Sequence, residues 1–324
     1  MNFQHIEAIC GIAKNGFNIS ATAEALSRSQ PGLSRQLKEL EAELGVKIFH
    51  RTRNKVVSLT PQGEIILRIG RRIICDYRSL HQLADDESAE GSGELRIATT
   101  HVHARYSLPK IFKKFTAGHP GVLLTLRQGD PMQCSELVAT GEADIGISTV
   151  IGRISDDLVA IPIFKLTRCI LAAKGHPIAK ERALTLKKLA EYPIIAYSSS
   201  FSGRWIVDEA FAQAGIKPHI ICSAIDADVS KAYVELGMGI AILAQIAFDP
   251  ERDRNLVALP ADQLFRPGVL NLVLRKHGYL SGYARDFVSS LAPHVSLELI
   301  GRAMEGAEID KTRLAQRAPV ARFA

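Results

Sequence analysis

The stretch from Ile19 to Gly45, ISATAEALSRSQPGLSRQLKELEAELG, constrains this chain more than any other. Ser20 is expected to cap a helix over Ala21–Leu26, because a hydroxyl before the first turn accepts a bond from an unpaired helix amide. Ser27 to Ser29 then make a short turn. In the helix that follows, Leu33, Leu37, Leu40 and Leu44 recur at helical spacing, which predicts one buried stripe. Gln30, Ser34, Arg35 and Lys38 take the other face. Two short helices across a tight turn, the second with a polar and cationic outer face, form a helix-turn-helix. Such a face suits the major groove, where it meets base edges and phosphates. The plain alternative is an amphipathic helical hairpin, and the flanking residues bear on the choice.

Downstream, residues 46–59 (VKIFHRTRNKVVSL) place Arg51, Arg53 and Lys55 between two apolar segments. This is the pattern of a β-hairpin wing, with a cationic tip that lies along a phosphate backbone. Upstream, Phe3, Ile6, Ile9, Cys10 and Ala13 form the apolar side of a first helix. Thr60-Pro61-Gln62-Gly63-Glu64 restarts a helix, with Thr60 as cap and Pro61 at the first helical position. The run A-x-x-L-x-x-S-Q-P-x-L-S-x-Q-L-x-x-L-E-x-x-L-G-x-x-I-F-x-R, from Ala23 to Arg51, followed by T-P-x-G, resembles the DNA-binding domain of LysR-type transcriptional regulators. The resemblance implies that Ser29, Gln30, Pro31, Ser34, Arg35 and Lys38 face the groove of double-stranded promoter DNA, with Arg51 and Arg53 on its backbone.

At 324 residues the chain suits two or three domains, and 47% hydrophobic residues are ample for their cores. A net charge of +6 permits a nucleic-acid partner without requiring one. Cys10, Cys75, Cys134, Cys169 and Cys222 are widely spaced, fitting reduced buried thiols better than a disulfide framework or a zinc site. No apolar run is long enough to span a membrane, and no signal-peptide pattern opens the chain, so a cytoplasmic protein without a membrane partner is expected.

The winged module is expected over 1–59 and a linker helix over 60–87. Ile66, Ile69, Ile73, Tyr77 and Leu80 fall along one side of that helix, which predicts pairing with a second copy in a dimer or tetramer. The alternative is a helix packed on its own chain. The acidic, small-residue run Asp85–Gly93 places a hinge at 88–93. From 94 to 305 strand and helix patterns alternate, which predicts an α/β fold of parallel sheets with helices on both faces. Two lobes are expected, one from 94–164 plus 267–305 and the other from 165–266, built like a periplasmic binding protein. Residues 306–324 show no clear period and read as a disordered tail.

Ligands of such sheets bind beyond the carboxyl ends of the strands. Three hydroxyl-rich loops fall there: Thr99 to Tyr106, Ser148-Thr149, and Ser199 to Arg204. Hydroxyls and helix-start amides bind oxyanions, although each loop alone is equally explained by helix capping. The runs A-T-T-H-x-x-A-R-Y-x-L-P (Ala98–Pro109), F-x-G-R (Phe201–Arg204) and D-A-D-V (Asp226–Val229) resemble the CysB/Cbl branch of the LysR family, which controls sulfur assimilation and organosulfur use. That likeness extends to about residue 300. It implies a homo-oligomer that contacts RNA polymerase, and a small anionic effector such as sulfate, N-acetylserine or adenosine phosphosulfate. Thr100, Thr149 and Ser202 would be its ligands, in a site that also includes Thr99, His101, Val102, His103 and Ser200. Two positions depart from the branch: Val102 removes a hydroxyl, and His103 adds a donor that becomes cationic at low pH. A sensor of another small carboxylate or of an aromatic acid is therefore the alternative. No cofactor or metal is implied. His101 and His103 lack further ligands in sequence, and neither G-x-S-x-G nor H-E-x-x-H occurs, so no enzyme is expected.

Overall fold

A computed structural model describes residues 1–53, 55–87, 92–150, 152–181 and 183–321. They divide into two compact units, residues 1–84 and 85–324. The first unit contains α1 (Phe3–Lys14), α2 (Ile19–Ala25), α3 (Gln30–Leu44), the antiparallel hairpin β1 (Phe49–Thr52) and β2 (Lys55–Leu59), and most of α4 (Pro61–Glu87). Its core joins Ile9 and Ile12 of α1 to Leu33, Leu37 and Leu40 of α3, with Ile48, Phe49 and Leu67 closing the far side.

Two local expectations are corrected. Asn18, not Ser20, caps α2, its side chain accepting from the Ala21 amide at 3.0 Å, so the helix begins before Ser20. Leu44 leaves the buried stripe and is 39% exposed, because Gly45 turns into the left-handed region (φ 69°) and ends the helix there. Glu41 is buried in its stead.

The restart of the chain at Thr60 is held by one hydroxyl. Thr60 Oγ1 donates to the Lys47 carbonyl at 2.6 Å and accepts from the Gly63 amide at 2.9 Å. Along α4, Leu67 and Gly70 face inward, whereas Ile65, Ile69, Tyr77, Leu80 and Leu83 are exposed. Ile66 packs against the core of the first unit, so the exposed seam starts at Ile65. The expected hinge falls largely outside the described residues, since 88–91 are not among them and Gly93 already begins a strand.

The second unit runs through β3 (Gly93–Thr99), α5 (Pro109–Gly118), β4 (Val122–Gln128), α6 (Pro131–Ala139), β5 (Ile145–Thr149), β6 (Leu158–Leu166), β7 (Arg168–Ala173), α7 (Leu186–Leu189) and β8 (Ile194–Tyr197). It continues with α8 (Ser202–Gln213), β9 (Ile220–Ala224), α9 (Ala227–Glu235), β10 (Ile240–Ala244), β11 (Leu256–Pro260), β12 (Gly268–Arg275), α10 (Gly282–Leu291), α11 (Leu297–Met304) and α12 (Lys311–Arg317). Two five-stranded sheets result, ordered β4-β3-β5-β12-β6 in lobe I and β11-β7-β10-β8-β9 in lobe II.

Both sheets are mixed rather than parallel, which corrects the expectation. β12 is antiparallel to β5 and β6, and β7 is antiparallel to β10 and β11. The cause lies in the connectivity. β7 and β12 are the strands that receive the chain as it crosses between lobes. They enter from the end where the parallel strands finish, and so run backwards through the sheet.

The tail is also corrected. After Gly306 the chain forms α12, and Leu314 packs on the lobe I core. The Lys165 amide then donates to the Pro319 carbonyl, and the Ala321 amide to the Lys165 carbonyl, both at 2.8 Å. The edge strand β6 needs partners for its backbone groups, and residues 319–321 supply them.

Candidate nucleic-acid interface and ligand cavity

In the first unit, the helix that would enter a groove starts at Ser29, whose Oγ accepts from the Gly32 amide at 3.2 Å. Gln30, Pro31, Arg35 and Lys38 are exposed along α3, and Ser34 is half-buried. Arg35 is exposed, and among the described residues its one ion pair is with Glu39 at 2.7 Å one turn on. Arg53 stands at the wing tip in the left-handed region (φ 47°). Arg51 differs from these residues. Its guanidinium is drawn back onto the buried carboxylate of Glu41 at 3.0 Å, so it ties the wing to α3. Glu41 also accepts from the amides of Ile48 (2.9 Å) and Phe49 (3.4 Å).

In the second unit, a cavity of about 50 Å³ open to water-sized molecules lies between the lobes. It brings together Thr100, Val102, His103, Thr149 and Ser202 of the residues expected from sequence. Three others do not line it. Thr99 is buried and its hydroxyl donates to the Ile147 carbonyl at 2.6 Å, because successive side chains of β3 point to opposite faces. His101 turns to carboxylates of lobe II, and Ser200 donates to Ser198 at 3.3 Å. His103 is also corrected as a cationic donor. Its ring is wholly enclosed, with Nδ1 3.0 Å from Ser107 Oγ, and burial pushes its pKa down to about 4.

The sequence reading missed Arg168, the first residue of β7. It lines the cavity at 4% exposure, and burial lowers its pKa to about 10. No carboxylate pairs with it among the described residues, and its Nε has no hydrogen-bond partner. Among the described residues the Tyr197 hydroxyl, also at the cavity, is buried without a partner, as is Ser148 Oγ beside Thr149. Next to the guanidinium is the start of α8, where no side chain caps the helix. A Cβ on Gly203 would lie 3.3 Å from Arg168 Nη1, so this glycine lets the helix start approach the cation. A buried, unpaired guanidinium is costly. An anion with several oxygens placed here would meet that charge and accept from the guanidinium, the hydroxyls and the α8 amides.

Beside the cavity, His101 Nε2 lies 3.0 Å from Asp226 and 3.4 Å from Asp228. The three offer ligand atoms close enough together for a cation. Asp228 is already neutralised by Arg105 at 2.8 Å and Lys231 at 3.6 Å, so side chains occupy the role a metal would take.

A winged reading head joined to a two-lobed receptor with a charged cavity defines a DNA-binding regulator that responds to a small molecule. The comparisons make the family definite. Residues 3–64 match the family described as "Bacterial regulatory helix-turn-helix protein, lysR family", and residues 88–296 match "LysR substrate binding domain". The chain is 42% identical to the transcriptional regulator SsuR of Burkholderia cenocepacia, over 91% of this chain and 96% of that one. It is 41% identical to CysB of the same organism, over 94% and 98%. Among solved structures, the cofactor-binding domain of the Cbl transcriptional regulator superposes with a TM-score of 0.63 at 38% identity, covering 66% of this chain and 94% of that one. The chain belongs to the LysR family of transcriptional regulators. It is a DNA-binding regulator close to SsuR, CysB and Cbl, and not an enzyme. Among the described residues no helix is long and apolar enough to cross a membrane.

Proposed function

We propose that this regulator controls genes of sulfur assimilation or organosulfur use, and that its effector is a small tetrahedral oxyanion of the size of sulfate. The observation that carries the reading is the buried, unpaired Arg168 in a cavity of about 50 Å³. That space corresponds to roughly three or four waters. It suits one sulfate or thiosulfate and is small for adenosine phosphosulfate or an aromatic acid. Arg168 supplies charge, while Thr100, Thr149 and Ser202 supply hydroxyls, with Tyr197 as a further donor. The similarity to SsuR, CysB and Cbl supports the same area of metabolism.

On the DNA side, Gln30, Ser34, Arg35 and Lys38 meet base edges and phosphates of a promoter, and Arg53 meets the backbone. The exposed seam of α4, with Ile65, Ile69, Leu80 and Leu83, pairs with a second copy in a cytoplasmic dimer or tetramer. Two reading heads on one operator raise affinity by linkage. Effector binding changes lobe closure and, through the oligomer, contact with RNA polymerase.

The test is a thermal-shift series on the full chain with sulfate, thiosulfate, N-acetylserine, O-acetylserine, adenosine phosphosulfate and aromatic acids. A ligand at about a hundred times its Kd adds roughly 2.7 kcal/mol to stability. At ~2–4 °C per kcal/mol this raises Tm by several degrees. A shift with sulfate or thiosulfate is expected. A shift with aromatic acids alone overturns the sulfur reading.

A further inference from the structure

The loop that supplies Thr100, Val102 and His103 to the cavity is fastened to the opposite lobe by its other side chains. His101 reaches Asp226 and Asp228. Arg105 Nε lies 2.8 Å from Asp228, and the Tyr106 hydroxyl donates to the other oxygen of the same carboxylate. Behind them Lys231, only 6% exposed, donates to Tyr106 at 2.8 Å and pairs with Asp253 at 2.7 Å. Thus three side chains from one short segment of lobe I converge on Asp228 at the start of α9 in lobe II. Asp226 doubles as the cap of that helix, accepting from the Asp228 amide at 2.7 Å.

Burial opposes the charge on Asp228, but the Tyr106 hydrogen bond and the nearby Lys231 and Arg105 outweigh it and hold its pKa below the ordinary value. Burial likewise opposes the charge on Lys231, and the hydrogen bonds to Asp253 and Tyr106 raise its pKa in spite of it. Asp228 and Lys231 are therefore both held in their charged forms, with Arg105 of lobe I facing Asp228 of lobe II. The cluster is separate from the anion ligands, yet it shares their segment: Thr100, Val102 and His103 line the cavity, while His101, Arg105 and Tyr106 reach lobe II.

From this geometry we infer that His101, Arg105 and Asp228 are positioning residues of the effector site, forming a clasp that holds the lobes in the arrangement where the cavity exists. The inference rests on the oxyanion reading for its ligand. A site populated only part of the time binds with affinity reduced by that fraction. Loss of the clasp therefore weakens the effector without removing any atom that touches it.

The test uses the full chain and two readouts. The first is sulfate titration followed by the fluorescence of Trp205, the single tryptophan, in the first turn of α8. Asp228→Asn and Arg105→Ala should each weaken sulfate by about tenfold or more, within the usual span of coupling between sites. The double variant should be little worse than the harsher single one, whereas unconnected structural damage adds. The second readout is amide hydrogen exchange. In Asp228→Asn the segments 100–108 and 226–236 should both exchange faster, with β3 and β10 unchanged. Unaltered exchange in both segments overturns the clasp, as does unaltered affinity of the variants where the wild type binds sulfate. If the wild type does not bind sulfate, the oxyanion reading fails and the exchange result alone decides the clasp.

Discussion

The carboxylate of Glu41 in α3 lies 3.0 Å from the guanidinium of Arg51 in the wing. Glu41 is 4% exposed and also holds the amides that open the wing, so the position of the wing on α3 depends on this one acid. Glu41→Ala leaves a buried amide and the base of the wing unpaired, and should cost on the order of 2–3 kcal/mol in denaturant unfolding of the first unit. Arg51→Ala should lower stability and operator affinity together. Arg53→Ala and Lys38→Ala should leave unfolding unchanged, weaken DNA binding and flatten its salt dependence, each by about one in slope. A stability loss in Arg53→Ala equal to that in Arg51→Ala would contradict this division of roles.

Gly63 explains the last letter of the T-P-x-G motif. A Cβ there would stand 1.9 Å from the Ile48 carbonyl oxygen, closer than any real contact. A side chain there would force the backbone of α4 away from the segment that leads into β1. Gly63→Ala should destabilise the first unit by roughly 1–3 kcal/mol, the usual cost of overpacking a tight site. Calorimetry on the full chain should show the loss in the transition of the first unit, with that of the effector unit retained.

How much of this was legible beforehand varied with the kind of signal. Periodicity located most strands and helices, because alternating and helical burial leave direct marks on the sequence. It failed for β11, α11 and α12, short elements that pack on a neighbouring strand. The leucine stripe overshoots at Leu44, the last residue of α3, which projects past the core where Gly45 ends the helix. Thr99 ends β3 and Thr100 follows it, so their side chains part: Thr99 turns to the Ile147 carbonyl and Thr100 to the cavity, a split that strand alternation predicts. Arg168 was invisible for a different reason. A single cation at the head of the apolar strand RCILAA carries no motif, and its meaning appears only when the chain crossing places it between the lobes.

His103 gives a pH signature. Burial holds its folded pKa near 4, below the ordinary 6.5 that the unfolded chain recovers. Between these values the unfolded state binds more protons, so stability rises with pH. The contribution is complete above about pH 6.5 and is lost as the pH falls toward 4, with a size of roughly 3 kcal/mol. His103→Gln removes the titrating ring. Wild type minus variant unfolding free energy, measured in urea at several pH values from 4 to 7, should rise across this window. A flat difference would show that His103 does not titrate on unfolding.

Arg168 should trade stability against response. Among the described residues no carboxylate faces its buried guanidinium, and an apolar side chain of similar length removes the cost of burying that charge. Arg168→Met should therefore raise the stability of the ligand-free protein, by about 1–4 kcal/mol if it behaves as other buried ions replaced by apolar groups. The same change removes the charge that the proposed oxyanion neutralises, so added sulfate should no longer raise Tm. The two effects have opposite sign and come from one atom group. A purely structural arginine would lose stability when replaced, and the sulfate shift would persist. Gain of stability with loss of the shift is the combination that only an unpaired anion-binding cation produces.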